Sequence, residues 1–493
     1  MLNQIRRHVP ALSTAFLVLL SVTTASPPSE QSAPGTTSNL DSTSVEVTLS
    51  TADGAYRLAR RASIPFGPAH SGEHTVTLDA RDVRQPIEGF GAAFTDSSAY
   101  QLTRLKKRNP THYAQVMQHL FNTRTGLGLN VMRVPMGSSD FTAESHHWTD
   151  ADRQGPREDP LHYFALSPAE TSRLIPVIKD ALAINPSMHI VATPWSAPAW
   201  MKEHHSLIGQ EGGSLRPEYY NAWADYFVRW IRGLKAHGVP VWGVTVQNEP
   251  YFAPADYPGM PYSASELATF TKSYLAPALK AANLRPVIVA HDHNWANATE
   301  AKDELSGDRS FVGAVGWHCY NNEAGTSTMT AVHRIYPDLP QHVTECSSDT
   351  ASGDLIRYST AELALRSTQH WARSVVLWNL ALGPGGTPHL GGCQGCRGLL
   401  TVTDTGESWT PIRDQLGQVA RFVRPGAWHI SSTEETGGVV TSAFVNRDGT
   451  QVLVAHNPTT ATVAFSTRWT DRGGFDYRLP AGATVTFRAA RLP

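Results

Sequence analysis

Apolar and polar positions follow two different rhythms along the chain. A period of two runs through "VEVTLST" (45–51) and "HTVTLDA" (74–80), the pattern of half-buried antiparallel strands. From about residue 86 the pattern changes to short runs that are apolar on both faces. Eight are found: "PIEGFGAAF", "LNVMRVPM", "HIVATPW", "VWGVTVQ", "RPVIVAH", "FVGAVGWHC", "QHVTE" and "SVVLWNLAL". Helix-length stretches such as "SRLIPVIKDALAI", "YYNAWADYFVRWIRGLKAHG" and "SASELATFTKSYLAPALKAA" lie between them. Strands greasy on both faces and alternating with helices predict an α/β fold, a (β/α)8 TIM barrel over 86–420. The competing doubly wound sheet lacks support, because "GFGAAF" after the first run is not a GxGxxG phosphate fingerprint. Beyond about residue 420 only short strands remain ("GVVTSAFVN", "TQVLVAHN", "ATVAFSTRW", "ATVTFRAA"), which predicts a β-sandwich over 421–493. The strands of 45–85 have no place in the barrel count. They are expected to join this flanking β-sandwich domain, built from N- and C-terminal strands together.

The ends of the chain add a destination. Arg6, Arg7 and His8 precede an apolar stretch from Ala11 to Val22, and small residues follow to Ala25 and Ser26. This order predicts a signal peptide over 1–25 and a secreted or periplasmic protein. The apolar stretch is short for a membrane span, so no stable membrane insertion is expected. Residues 26–44, rich in Pro, Ser, Thr and Gly, are expected to form a flexible leader. With 493 residues, 41% hydrophobic and 17% charged, the chain can bury a large core. A formal net charge of −2 without long charged runs excludes an electrostatic nucleic-acid partner. Nothing in the sequence fixes the oligomeric state.

Chemistry should collect where barrel strands run out into loops. Read in order, those ends supply Asp96, Arg133, Trp195, Asn248 with Glu249, Asp292 with His293, Asn294 and Trp295, then Trp317, His318 and Tyr320, then Glu345, and last Trp378 with Asn379. Two carboxylates on one rim suit glycoside hydrolysis, in which one protonates the leaving oxygen and the other meets the developing cationic carbon. Strands four and seven lie across the barrel, so Glu249 and Glu345 can flank a sugar ring. Arg133 is a candidate to keep Glu345 ionised, and Asn248 to bind the sugar 2-hydroxyl. The aromatic rings offer flat faces to pyranose C–H surfaces. No cofactor and no metal is expected. His291 and His293 at one strand end could suggest a metal site, but a hydrogen-bonded His293 near substrate is the preferred reading.

The motifs "GFGAAFTDSSA", "RVPMGSSDF", "TPWSAPAWMK", "TVQNEP", "DHNW", "WHCYNN" and "VTECS", in this order, resemble those of glycoside hydrolase family 30. The resemblance covers roughly residues 44–490. It implies a barrel with a flanking sandwich, and a retaining double displacement on a carbohydrate or glycolipid. By position, Glu249 matches the family's acid/base (proton donor) and Glu345 its nucleophile. Asp96, Trp195, Asn248, His318, Tyr320 and Trp378 match positions that shape the glucose subsite, and Arg133, His293 and Asn379 are grouped with them as substrate-binding. The substrate this implies is a glucosylceramide-like lipid or an endo-β-1,6-glucan. A β-xylosidase or xylanase activity, or a non-catalytic carbohydrate-binding role, is the alternative. One loop departs from the family: "GPGGTPHL" places His389 near a usual Asn. The following "GGCQGCRG" resembles bacterial members.

Several of these residues have plainer readings. Asp96 could cap the first barrel helix, and Arg133 could belong to an internal ion pair. Cys393 and Cys396 are candidates for a small-loop disulfide, because no second CxxC exists to complete a zinc site. Cys319 and Cys346 should face the helices from adjacent strands as buried thiols, with a disulfide as the alternative. Trp223, Trp230 and Trp371, in helical stretches, are expected to pack inward.

Overall fold

The computed structural model describes residues 41–69, 72–320, 324–347 and 358–492. The expected signal peptide and most of the expected leader lie outside the described residues. Three strands precede the barrel: β1 (Ser44–Ser50), β2 (Ala59–Pro65) and β3 (Thr75–Pro86). The barrel strands are β4 (Gly89–Ala92), β5 (Val131–Met136), β6 (His189–Pro194), β7 (Gly243–Thr245), β8 (Val287–Asn294), β9 (Ala314–His318), β10 (Gln341–Glu345) and β11 (Ala372–Leu377). They form an eight-stranded sheet in the order β4-β11-β10-β9-β8-β7-β6-β5, and every pairing is parallel. A parallel bridge between Ala93 and Arg133 closes it. Gly91 makes that closure feasible: a Cβ there would stand 1.7 Å from the carbonyl oxygen of Val131. The glycines of "GFGAAF" thus serve strand approach, not phosphate binding.

The helices lie where the sequence expects them, with local differences. The helix over Tyr220–Ala236 buries Tyr220, Trp223, Phe227, Trp230, Ile231 and Leu234, one side of a 3.6-residue period. Burial of side chains this large stabilises the fold by roughly 1.5–3 kcal/mol each. Trp371 departs from expectation. It lies past the helix Thr360–Gln369 with φ +78°, half-buried and stacked on His333 at 3.7 Å. The fourth run shrinks to a three-residue strand, and the four residues that follow it, Val246–Glu249, lie beyond the strand at the barrel rim. A small sheet of β12 (Ala381–Leu382), β13 (Leu400–Val402) and β14 (Glu407–Trp409), which the sequence pattern does not suggest, follows the last barrel strand.

The remaining strands are β15 (Trp428–Ser432), β16 (Glu435–Thr436), β17 (Val439–Val445), β18 (Gln451–His456), β19 (Val463–Trp469), β20 (Asp476–Leu479) and β21 (Thr484–Ala489). They join β1–β3 in one ten-stranded sheet, in which β1 pairs with β21 and β3 lies between β15 and β19. The two ends of the chain therefore build one sandwich around a core that includes Val45, Val47, Ile430, Leu453, Trp469 and Phe487. Alternate residues of β17 and β18 (Val440, Phe444, Val452, Val454) point the other way and join the barrel's own apolar core. Buried polar groups add to this junction. Gln85 donates to the carbonyls of Thr368 and Ala372, and Thr486 donates to Gln418.

Candidate active site

Glu249 reaches the rim through a backbone fixed on both sides. Asn248 N donates to the Pro194 carbonyl, and Gln247 donates to the Trp195 carbonyl. Glu249 N donates to the Asp292 carbonyl, and Phe252 N returns to the Glu249 carbonyl in a tight turn. Glu345 ends β10 directly. Both carboxylates are buried, and an oxygen of each, with a ring nitrogen of His318, lies within 4.8 Å of the others. Tyr320 donates its hydroxyl to Glu345 Oε1 at 2.9 Å. Among the described residues, Glu345 Oε2 is buried without a hydrogen bond, 3.4 Å from Arg133 Nε.

Beneath the pair sits a charged network. Arg133, wholly buried, grips both oxygens of Asp292 at 2.8 and 2.9 Å and donates to Asn248 Oδ1 at 2.7 Å. Its guanidinium also lies over the Trp195 ring at 5.3 Å. His318 spans the centre, with Nδ1 3.0 Å from Glu249 Oε1 and Nε2 3.1 Å from Asp292 Oδ1. Burial alone would discharge this imidazole. The negative charges of Glu345 and Asp292, with hydrogen bonds to Asp292 and Glu249, outweigh it and raise the pKa to about 9. Asp292 is held far below the ordinary carboxylate range; burial opposes this, but the charges of Arg133 and His318 win.

The two glutamates are pushed apart. Burial works to raise Glu249, yet the hydrogen bond from charged His318 pulls it below its usual value. Burial raises Glu345, and the charges of Glu249 and Asp292 add to this against His318 and Arg133. Two carboxylates this close titrate as a pair, with Glu345 held above and Glu249 below the ordinary value.

The geometry sorts the residues expected at the site. Trp195 and Trp378 stack at 5.1 Å in one apolar wall with Phe141 and Cys396. His293 stands with Nδ1 3.9 Å from Glu249 Oε1, and burial lowers its pKa to about 4, so it is neutral. Arg133 and Asn379 expose no surface, so neither is placed to touch a sugar directly. Arg133 orients Asn248: a guanidinium cannot accept, so Asn248 Oδ1 faces it. Asp96 is displaced from the expected subsite. Its oxygens accept from Thr142, the Ala143 N–H and Arg173, which anchors the segment 137–149. Nor is it the helix cap, because Thr95 accepts from Ser98 N in that role.

The cysteines require one correction. Cys393 and Cys396 form the expected disulfide, but Cys319 and Cys346 are also bonded rather than free. Cys319 lies between His318 and Tyr320, and Cys346 directly follows Glu345. The cross-link therefore ties the backbone of two groups that touch the carboxylate pair, His318 and Tyr320, to that of Glu345 itself. Among the described residues, the only set spaced for a metal ion is Glu249, His318 and Glu345. In this set His318 already spends both ring nitrogens on carboxylates, Nδ1 on Glu249 and Nε2 on Asp292.

The comparisons with known proteins agree with this geometry. The glycosyl hydrolase family 30 TIM-barrel domain matches residues 87–390, and that family's beta sandwich domain matches 426–487. The chain belongs to glycoside hydrolase family 30. An endo-1,6-beta-D-glucanase of Trichoderma harzianum is 30% identical over 424 residues, covering 82% of this chain and 85% of the relative. One from Aspergillus fumigatus is 31% identical over 431 residues, covering 82% and 86%. The mouse (Mus musculus) lysosomal acid glucosylceramidase is 23% identical over 438 residues, covering 84% and 82%. A solved endo-beta1,6-glucanase superposes with a TM-score of 0.79 at 27% identity, covering 91% of this chain and all of that one.

This family 30 glycoside hydrolase carries one site group that reading strand ends missed. Asp140, four residues past β5 within "RVPMGSSDF", is buried, and its carboxyl is raised well above the usual range. Burial is the main cause, and the charges of Glu345 and Glu249 add to it, which places Asp140 beside the pair. Hydrogen bonds from Trp378 and the Cys393 N–H hold it there. Gly392 permits the approach, since a Cβ at that position would lie 2.4 Å from Asp140 Oδ2. The only sequence signal for Asp140 is an acid outside any strand, in a segment rich in small polar residues. His389, in the departing loop, sits at the same wall, its ring 6.0 Å from Phe141.

Proposed function

We propose that this enzyme is a retaining β-glycosidase that hydrolyses β-1,6-glucan by double displacement, with Glu345 as nucleophile and Glu249 as acid/base. The observation that carries the reading is the pair of facing carboxylates, one oxygen of each lying within 4.8 Å of the other. Carboxyl groups about 5–5.5 Å apart favour direct attack by one of them, whereas inverting enzymes keep about 6.5–9.5 Å for a water. Glu345 Oε2, with no hydrogen bond among the described residues and Arg133 nearby, is the oxygen poised to attack. Glu249 Oε1 accepts from His318, which leaves Oε2 to carry the proton to the leaving oxygen. The displacement needs the proton on Glu249 and the charge on Glu345, which Arg133 and Tyr320 favour by stabilising charge on Glu345. Asn248, its Oδ1 fixed by Arg133, turns its NH2 toward a sugar hydroxyl. Trp195, Trp378 and Asp140 line the sugar, Asp140 as a buried acid able to bind hydroxyls.

The two endo-1,6-glucanases at 30–31% identity support the choice of glucan over a glycolipid. Two disulfides support an oxidising, extracytoplasmic destination. The test is incubation with pustulan, glucosylceramide and β-xylan, followed by product analysis. Pustulan alone should yield oligosaccharides, and release of glucose only from glucosylceramide would overturn the substrate. A 2-deoxy-2-fluoro-glucoside with an activated leaving group should label Glu345, and labelling elsewhere would reverse the roles.

A further inference from the structure

We propose that Glu304, a buried acid in the helix Ala298–Leu305, is a positioning residue that fixes the angle of the acid/base Glu249. This rests on the role given to Glu249 above. Three non-glycine residues at the rim hold left-handed backbone: Glu249 (φ +46°), His291 (φ +71°) and Asp292 (φ +54°). Such backbone is strained for a residue that carries a Cβ and persists only where its surroundings hold it.

The hydrogen bonds that hold these three form a closed ring through Glu304. Glu304 Oε2 accepts from His291 N at 3.0 Å. The next residue, Asp292, offers its carbonyl to Glu249 N at 3.1 Å. Two residues past Glu249, Tyr251 returns, its hydroxyl donating to Glu304 Oε2 at 3.3 Å. The Tyr251 ring also stacks on His293 at 5.6 Å, and His293 faces Glu249. A single carboxyl oxygen therefore holds both the bulge in β8 that presents Asp292 and the turn that presents Glu249. Glu304 itself faces no sugar and takes no part in the displacement. Burial raises its pKa to about 8, so near neutrality it is mostly a neutral carboxyl, which an amide can imitate.

The experiment compares kcat/KM for two aryl β-gentiobiosides, one with a phenyl and one with a 2,4-dinitrophenyl leaving group. Dinitrophenolate departs without a proton, so only the phenyl substrate needs a well-aimed acid. E304A should lose about 10–100-fold on the phenyl substrate and less than about threefold on the dinitrophenyl one. E304Q should restore both. Y251F, which removes one arm and keeps the ring, should show a smaller loss on the phenyl substrate alone, and it serves if E304A does not fold. Equal losses of E304A or Y251F on both substrates, or no loss on either, would overturn the proposal. E249Q is measured alongside. If its loss does not depend on the leaving group, the acid/base reading fails, and the proposal with it. If E249Q is selective and E304A is not, only the proposal fails.

Discussion

Removing the Cys319–Cys346 bond separates what it does for stability from what it does for the site. The two cysteines are 27 residues apart, and closing such a loop should stabilise the fold by about 3.5 kcal/mol through the unfolded chain. The Cys393–Cys396 bond closes a separation of 3 and should contribute about 2 kcal/mol by the same reasoning. If loop closure were the whole effect, C319S/C346S would unfold at lower urea but turn over substrate normally wherever it stays folded. The structure requires more. The bond joins the residue after His318 to the residue after Glu345, and Tyr320 follows Cys319. Loss of that link frees the 2.9 Å contact from Tyr320 to Glu345 and the setting of His318 against Glu249. A misplacement near 1 Å costs about 100-fold, so a partial loosening should lower kcat by about 10-fold with a smaller change in KM. The assay is urea denaturation together with steady-state hydrolysis of pustulan at a temperature where circular dichroism shows the variant fully folded. A folded C319S/C346S variant with wild-type kcat would refute the reasoning, leaving the bond a stabilising link only.

The network makes further claims. R133M should lower the unfolding free energy by about 3–5 kcal/mol, because Asp292 is left charged and buried; R133M/D292N should recover part of the loss in a double-mutant cycle. Y320F removes a hydrogen bond to a charged oxygen and should lower kcat/KM by about 10-fold or more, measured by steady-state kinetics. His318 has a folded-state pKa of about 9, above the unfolded value near 6.5. Its contribution to stability should be full below about pH 6.5 and fade as pH rises through about 9. Urea unfolding from pH 6 to 10 should show this loss in the wild type and not in H318Q.

The sequence revealed what burial dictates and concealed what register decides. Apolar runs on both faces and helices with a 3.6-residue period are read directly, because each position's burial is written in its own side chain. The acid at the end of "VWGVTVQNEP" was legible for the same reason: a greasy run ending in a carboxylate and a proline leaves that carboxylate at the rim. Arg133 could be seen on its strand, but not what it grips, since Asp292 is 159 residues away in sequence. Asp96 and Asp140 show how little residue type settles by itself. Both are acids shortly after a barrel strand, yet one anchors a loop through Arg173 and the other stands beside the carboxylate pair.

Two irregularities of register account for most of what stayed hidden. In β8 the pairing with β9 shifts between His291 and His293, and the two residues at the shift, His291 and Asp292, take left-handed backbone. A one-residue slip exchanges the faces of a strand, so no regular alternation places Asp292 beneath the pair. In β10 the pairing with β9 runs from Gln341 opposite Val315 to Val343 opposite Trp317, and then shifts so that Glu345, not Thr344, lies opposite His318. Without that extra residue Glu345 would sit against Cys319, and Cys346 would pass beyond it. With it, Glu345 meets His318, and the cysteines that follow them come to 5.3 Å between Cα atoms, within reach of a bond. One bulge thus sets both the neighbour of Glu345 and the disulfide, and this is why an expectation drawn from strand alternation put the cysteines on the helix side as free thiols.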